Sequence, residues 1–100
     1  MAYLPQPFDP DAAVFTVSVA ASLADMHAQT LRGYDRLGLV IASRTKGGGR
    51  RYSPRDIQRL RLIQRLSQEG INLTGIRRIL ALQSELEEAQ RRMDDMTELV

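Results

Sequence analysis

The chain has 100 residues, of which 43% are apolar, enough for one small hydrophobic core. It has no cysteine and one histidine, which excludes disulfides and thiolate metal sites and argues against a metal or catalytic cluster. No apolar run approaches the roughly 20 residues that a membrane span needs, and the Pro-rich start lacks the basic segment of a secretory signal. These features predict a cytoplasmic protein with no cofactor and no membrane contact.

The net charge of +2 conceals an asymmetry along the chain. Residues 1–80 carry 12 basic and 6 acidic side chains, a net charge of +6, whereas residues 81–100 carry 2 and 6, a net charge of −4. Thirteen of the 14 cations are arginine, which binds phosphate and guanine bidentately. The basic block indicates polyanion binding and the acidic tail a second role. Charge alone is equally compatible with a solvated basic face.

In the first third of the chain, the predicted elements follow one another in the order found in a helix-turn-helix unit. Residues 1–13 are Pro-rich and predicted to be a disordered arm. Residues 15–17 predict a short strand, and Ser18 is the expected N-cap of a helix over residues 18–24. Such units place their second helix in the major groove of DNA.

The predicted turn between the two helices contains Asp25 and Met26. Asp25 stands where helix-turn-helix units usually place glycine, and aspartate tolerates a left-handed backbone better than most residues. The second helix is predicted over residues 28–37. Ala21 must be small for the two helices to approach. Two ordinary packed helices would give a similar spacing, so this pattern alone leaves both interpretations open.

A glycine-rich basic hairpin is predicted next. Residues 39–41 read as a strand, residues 45–49 as a flexible tip and residues 50–52 as the return strand. Three consecutive glycines let the backbone come close to a partner, although a plain surface hairpin would also tolerate them. DNA binding is favoured because four basic residues flank the glycines: Arg44, Lys46, Arg50 and Arg51.

Two further helices follow. Ser53 is the expected N-cap of the first, with Pro54 at its first helical position and Asp56 completing a pattern like a capping box. Gly70 ends this helix, and Asn72 caps the next. Apolar residues with helical spacing predict the buried stripe of the first helix, which is Ile57, Leu60, Ile63 and Leu66. The next helix contains Leu73, Ile76, Ile79 and Leu80.

The C-terminal segment carries a heptad seam with steps of three and four residues. A helix this polar needs a partner, so a dimerisation helix is predicted over residues 82–100. The alternative is an amphipathic helix lying on its own domain. The helix has no stop signal at Val100, so the natural protein is expected to continue. The seam residues are Ile79, Leu82, Leu86, Ala89, Met93, Met96 and Val100.

Three segments together carry a family resemblance: T-V-S-V-A-A, T-L-R-G-Y-D-R-L-G-L-V and G-G-G-R-R-Y-S-P-R-D-I. Over roughly residues 15–82 the chain resembles the MerR family of winged-helix transcription regulators, and within it the HspR-type heat-shock repressors. The resemblance implies a mainly α fold, with a winged helix-turn-helix domain and small β wing over residues 14–81. It also implies a homodimer joined by an antiparallel coiled coil over residues 82–100.

The resemblance also implies site residues, with Arg32 and Gln29 as base readers, since arginine pairs bidentately with guanine and glutamine with adenine. Gly33 stands where many members have an aromatic residue, His27 replaces a Ser or Thr cap, and Tyr34 could equally reach phosphate or pack in the core. The predicted DNA contacts are Thr16, Ser18, His27, Gln29, Thr30, Arg32, Gly33, Tyr34, Arg36, Lys46, Arg50, Arg51 and Tyr52. The predicted dimer contacts are Leu82, Leu86, Ala89, Met93 and Met96.

The predicted function is repression of heat-shock or chaperone genes through an inverted repeat of double-stranded DNA, in the bacterial cytoplasm and associated with the nucleoid. The resemblance alone implies a DnaK-type chaperone as co-repressor. Three alternatives stay open: a MerR-type activator that distorts its promoter, an excisionase-like architectural protein, and a protein-interaction module acting through the acidic helix. An enzyme is not expected, because no nucleophile–base pair is evident and the triple glycine lacks the Gly-Lys-Ser/Thr ending of a P-loop.

Overall fold

The computed structural model describes residues 9–98, which form four helices and one two-stranded antiparallel sheet. The chain divides into two compact units, residues 1–64 and 65–100. None of the described helices is long and apolar enough to cross a membrane, and no described residues form a candidate metal cluster. The elements are α1 (Val17–Leu23), α2 (Ala28–Arg36), β1 (Ser43–Arg44), β2 (Arg50–Arg51), α3 (Pro54–Gln68) and α4 (Leu73–Glu98).

The N-cap of α1 is Thr16 and not Ser18, which corrects the prediction from sequence. The Thr16 hydroxyl accepts a hydrogen bond from the Val19 amide at 3.3 Å, so Ser18 lies within the first turn of the helix. Because the helix begins this early, the strand predicted at residues 15–17 is reduced to one antiparallel bridge between Phe15 and Tyr52. That bridge joins the start of α1 to the segment that precedes α3.

The predicted disordered arm falls partly outside the described residues, since residues 1–8 are not described. Two of its later residues contact the start of α3. The Pro10 carbonyl accepts from the Arg55 amide at 2.9 Å, and the Asp11 carboxylate pairs with the Arg55 guanidinium at 2.7 Å. Both contacts use Arg55, which supplies a backbone amide at the first turn of α3 and a cation. The disordered arm over residues 1–13 stays a prediction.

The turn between α1 and α2 has the predicted left-handed residue. Asp25 has a φ of 58°, and the amide of Met26 donates to the Ala21 carbonyl at 3.0 Å. Ala21 is buried, which lets the two helices pack closely. α2 ends at Arg36, one residue before the predicted end, because Leu37 forms the C-cap and Gly38 takes a φ of 76°.

The strand predicted at residues 39–41 is wrong. Pairing begins later, with Ser43 opposite Arg51 and Arg44 opposite Arg50. After the left-handed turn at Gly38 the chain runs into the core, where Leu39 and Val40 are buried without a partner strand. Their apolar run therefore reflects burial and not sheet pairing.

The hairpin formed by β1 and β2 has the predicted tip at residues 45–49. The Thr45 amide donates to the Gly49 carbonyl at 2.8 Å, and the Thr45 hydroxyl accepts from the Gly49 amide at 3.1 Å. Gly48 has a φ of 86°, a backbone conformation that a side chain would strain.

The core of the first unit gathers residues from α1, α2, the two segments that flank the hairpin, and α3. Tyr52 is its largest fully buried side chain, and Leu31 anchors the inner face of α2. Arg61 of α3 donates two hydrogen bonds, of 3.0 and 2.6 Å, to the Leu23 carbonyl at the end of α1. The buried cluster consists of Ala20, Ala21, Ala24, Leu31, Val40, Tyr52, Ile57 and Leu60.

The signals that start α3 act as predicted. The Ser53 amide donates to the Asp56 carboxylate at 2.9 Å, and the Asp56 amide donates to the Ser53 hydroxyl at 3.1 Å. This reciprocal pair is a capping box with aspartate in place of the usual glutamate or glutamine. Pro54 occupies the first helical position.

In the second unit the chain turns at Gly70, which has a φ of 88°. The Asn72 side chain accepts from the Gly75 amide at 2.9 Å and caps α4 as predicted. Ile76 and Leu80 are buried. α4 is continuous to Glu98, so the boundary predicted between residues 81 and 82 lies inside one helix and stays a prediction.

Substitution of Asp25 tests the cost of its backbone conformation. We expect Asp25→Gly to raise the free energy of unfolding by up to about 1 kcal/mol, because glycine accepts a positive φ without strain. Asp25→Ala should lower it by about 1 kcal/mol, because alanine lacks the polar group that helps aspartate there. Denaturant unfolding of both variants measures the difference, and equal stabilities would contradict the assigned strain.

Candidate nucleic-acid interface

The outer face of α2 is a polar surface on a well-anchored helix. Gln29, Arg32 and Arg36 are exposed and lie three and four residues apart, so they share one face. Leu31 is fully buried on the opposite side and fixes the orientation of the helix. Both predicted base readers therefore point away from the core on a helix that is held in place.

The smaller residues of α2 complete this surface. His27 is the N-cap, as predicted, and its exposed imidazole makes no capping hydrogen bond within the described part of the chain. Thr30 and Gly33 are half-buried. A Cβ on Gly33 would meet only the Arg36 guanidinium, at 3.8 Å, which is ordinary contact. Backbone crowding therefore does not require glycine at this position.

Asp35 connects α2 to the hairpin. Its carboxylate accepts from the Arg50 guanidinium at 2.6 Å and from the Tyr52 hydroxyl at 2.7 Å. The Asp35 side chain is only 11% exposed, whereas that of Arg50 is 39% exposed. This half-buried carboxylate thus holds Arg50 of the hairpin and the adjacent Tyr52 against the helix. The ion pair itself is partly screened by water.

Asp35 is absent from the site residues predicted from sequence. In the sequence, only its charge distinguishes it. Asp35 is one of two acidic residues between residues 32 and 65, a segment with ten basic residues. Sequence spacing alone does not show that this carboxylate faces Arg50, 15 residues further along the chain.

Tyr52 is a core residue, which corrects its predicted role as a wing contact. Its side chain is fully buried, and its hydroxyl is occupied by Asp35. Burial, followed by the hydrogen bond to the Asp35 carboxylate, raises the pKa of the Tyr52 hydroxyl well above its usual range. Contact with DNA would require the core to open, so Tyr52 supports the surface from beneath.

A depression of about 250 Å³ lies between α2 and the hairpin. Three arginines and one carboxylate line it, and the buried Tyr52 borders it from beneath. Since Asp35 offsets only one of these cations, the depression is net positive and suits an anion such as a backbone phosphate. The lining residues are Arg32, Asp35, Arg36, Arg50 and Tyr52.

The remaining hairpin cations lie around the glycine tip. Lys46 is exposed, and the Arg44 guanidinium donates to the Gly48 carbonyl at 3.3 Å. Arg51 donates to the Arg50 carbonyl at 3.0 Å and crosses close to Gly49, where a Cβ would stand 3.1 Å from its guanidinium. Glycine at position 49 therefore leaves room for the Arg51 side chain.

Three other predicted contacts occupy separate places in the first unit. Thr16 and Ser18 are exposed at the start of α1, with the Thr16 hydroxyl already used for capping. The Tyr34 hydroxyl donates to the Gln64 amide oxygen of α3 at 3.3 Å, and its half-buried ring packs against the core. Of the two roles left open for Tyr34, packing is the one visible in this structure.

The predicted dimer contacts form an exposed apolar stripe along α4. Leu82 is 52% exposed, Leu86 and Met96 are 68% exposed, and Met93 is 62% exposed. Ala89 is half-buried. Within the described part of the chain nothing covers this stripe, and large exposed apolar residues in a row mark an interaction surface.

The comparisons with known proteins all indicate the same family. The model of MerR HTH family regulatory proteins matches residues 15–83. The heat shock protein HspR of Streptomyces coelicolor is 56% identical over 87 residues, which cover 86% of this chain and 58% of HspR. The regulator GlnR of Bacillus anthracis is 30% identical over a match that covers 88% of this chain and 68% of GlnR. The chain thus spans less than two thirds of HspR.

A solved structure confirms the predicted winged helix-turn-helix fold. HiNmlR, a MerR family regulator lacking the sensor domain and bound to promoter DNA, superimposes with a TM-score of 0.65 at 31% identity. The match covers 84% of this chain and 67% of that one. The relatives are regulators, in agreement with the expectation that this chain is not an enzyme.

Titration of Tyr52 provides a test of its contact with Asp35. Because its pKa is raised in the folded protein, its contribution to stability is complete below the ordinary tyrosine pKa of about 10 and is lost as the pH rises beyond it. Tyr52→Phe should lower the free energy of unfolding by about 1 kcal/mol at neutral pH. It should also flatten the alkaline loss of stability.

Denaturant unfolding of the unchanged chain and of Tyr52→Phe, from pH 7 to about 1.5 units above the ordinary tyrosine pKa, measures the free energy of unfolding of each. Identical slopes above pH 10, roughly where an ordinary tyrosine ionises, would show that Tyr52 does not titrate against a buried carboxylate.

Proposed function

Because the chain belongs to the MerR family of helix-turn-helix regulatory proteins, we propose that it binds an inverted-repeat operator as a homodimer and represses heat-shock genes. The observation that carries the proposal is the basic surface shared by α2 and the hairpin, centred on the arginine-lined depression. The heat-shock assignment is supported by 56% identity with HspR. The site of action would be the bacterial cytoplasm, on the nucleoid.

Base reading is assigned to α2. The helix would lie in the major groove with Arg32 and Gln29 directed at base edges, where arginine reads guanine and glutamine reads adenine. Both side chains are exposed on one face of a helix anchored by Leu31, so their positions are fixed by the core. Arg36 extends the same face toward the hairpin and is assigned to phosphate.

Positioning on the duplex is assigned to the hairpin cations. Arg51 and Lys46 would contact the phosphate backbone, which fixes the register of a protein on DNA without reading its sequence. Arg50 is already paired with Asp35, so its first role would be to hold the hairpin and its second to add positive charge. The glycine tip would let the hairpin backbone approach the duplex closely.

Dimerisation is assigned to the apolar stripe of α4. A two-fold dimer requires two equivalent half-sites separated by one or more turns of DNA, and hence an inverted repeat. The four large exposed side chains of the stripe gain stability only when a second helix covers them.

A DnaK-type chaperone is proposed as co-repressor on the strength of the resemblance to HspR alone. Repression would be relieved when unfolded clients occupy the chaperone. Adding a purified chaperone of this class to an operator-binding assay should raise the apparent affinity. An unchanged affinity would remove this part of the proposal and leave DNA binding untouched.

Selection of bound duplexes from a random library tests the DNA-binding proposal. We expect an enriched inverted repeat whose affinity far exceeds that for a scrambled duplex, with a strong decrease in affinity as salt is raised. If no repeat is enriched and affinity does not depend on salt, a role for the acidic helix in protein interaction would be favoured instead.

Two arginine substitutions separate base reading from positioning. Arg32→Ala should cost about 1–3 kcal/mol of binding and relax specificity at one position of the half-site. Arg51→Ala should weaken binding to all sequences alike and reduce the salt slope by about 1 per half-site. Arg65→Ala is the matched control, because Arg65 is exposed in the last turn of α3 and is assigned neither to DNA nor to the dimer. A change in sequence preference for Arg51→Ala would contradict this division of roles.

A further inference from the structure

The edges of the α4 stripe carry a simple charge pattern. In the heptad that places Leu86 at position a and Ala89 at position d, the residues at positions g and e border the seam and face a paired helix. The g residues are Arg78, Glu85 and Arg92, all exposed. The e residues are Gln83, Gln90 and Thr97, none of them charged. Only the g edge can therefore select the arrangement of two helices by charge.

We propose that α4 pairs with α4 of a second copy of this chain in one antiparallel register, with Leu86 of each chain opposite Ala89 of the other. In antiparallel helices the g edge of one faces the g edge of the other. In this register Glu85 of each copy lies beside Arg92 of the other, so two opposite-charge pairs form. The proposal rests on the dimerisation assigned to α4 above and specifies how it occurs.

The neighbouring registers place like charges together. Sliding one helix so that Leu86 faces Leu82 brings Glu85 beside Glu85 and Arg78 beside Arg92. Sliding it the other way, so that Leu86 faces Met96, brings Arg92 beside Arg92. A parallel pair would set the charged g residues beside the uncharged e residues and gain no charge pair. Of these arrangements only the proposed one is favoured by the charged edge.

The side chains concerned are available for this pairing. The Arg92 guanidinium is 3.6 Å from Glu88 on the outer side of its own helix, a loose contact, and its side chain is 67% exposed. Glu88 is hydrogen-bonded to Arg91, so it keeps a partner when Arg92 turns toward a second chain. The Arg91 guanidinium also lowers the pKa of Glu88, so that carboxylate stays charged.

Each apolar layer of this register pairs one residue of the seam with another from the second copy. The layer nearest the two-fold axis pairs Leu86 with the small Ala89, which allows the helices to approach closely. The next layers pair Leu82 with Met93 and Ile79 with Met96. Every exposed residue of the stripe is then covered by one from the second copy.

Charge reversal tests the register in the full-length chain. Glu85→Arg and Arg92→Glu should each weaken the dimer about tenfold at low salt, because each turns two attractive pairs into repulsive ones. The double variant Glu85→Arg with Arg92→Glu should restore the original affinity. Asp95→Arg is the control, because it makes the same charge change on the outer side of the helix. Sedimentation equilibrium measures the dissociation constant of each.

The other registers give different results. With Leu86 opposite Leu82, Arg92→Glu would strengthen the dimer through Arg78. With Leu86 opposite Met96, Arg92→Glu would replace a pair of facing arginines with a pair of facing glutamates, so the dissociation constant would change little. Either outcome would overturn the proposed register.

A distance measurement provides a second readout. The chain has no cysteine, so a spin label placed through Thr97→Cys reacts at one site in each copy. At a rise of about 1.5 Å per residue, the proposed register separates the two labels by ~28 Å along the axis, the shifted registers by ~39 or ~18 Å, and a parallel pair by almost none.

The outcomes distinguish the two levels of the proposal. A monomer at every concentration would overturn the assignment of α4 to dimerisation and this pairing with it. A stable dimer with another label spacing, or one that Glu85→Arg leaves intact, would overturn the register alone.

Discussion

The Asp35 carboxylate is the contact on which the rest of the proposed DNA-facing surface depends. Short hydrogen bonds from Arg50 and Tyr52 converge on it, so the hairpin and α2 share one anchor. A carboxylate among arginines lowers the positive charge available to DNA. It also replaces an adjustable hairpin with a fixed one, and a fixed surface loses less conformational entropy on binding. The arrangement favours precise placement of the cations over their number.

The burial of Tyr52 explains why that anchor is stable. Its backbone bridges to Phe15, its ring fills the core, and its hydroxyl reaches Asp35. A buried hydroxyl without a partner would cost free energy, and Asp35 supplies that partner. The same residue therefore connects the start of α1, the hairpin and α2. The exposed contacts of the interface depend on a side chain that does not itself reach the surface.

Local signals in the sequence predicted local structure well. The capping residues Ser53, Asp56 and Asn72, and the left-handed Asp25, act as predicted because each depends on atoms within a few residues. One error is local, because Thr16 caps α1 in place of the predicted Ser18. Two other errors have a common cause in tertiary structure. Leu39 and Val40 resemble a strand by composition but are buried as a loop, and Tyr52 resembles a wing contact but fills the core. The contact between Asp35 and Arg50 joins residues that only the fold brings together.

The opposite net charges of residues 1–80 and residues 81–100 correspond to two different binding problems. DNA presents a dense row of negative charges, so an arginine-rich surface gains affinity by releasing counterions. A helix of the same chain presents no such field, so the proposed pairing of α4 would depend on apolar burial for affinity and on sparse, mixed charges for alignment. Acidic residues along α4 also keep this helix from competing for phosphate. An inverted repeat rewards only two α2 helices held at a fixed spacing. In the proposed dimer, the alignment of α4 would therefore set how far the affinity of one DNA-facing surface adds to that of the other.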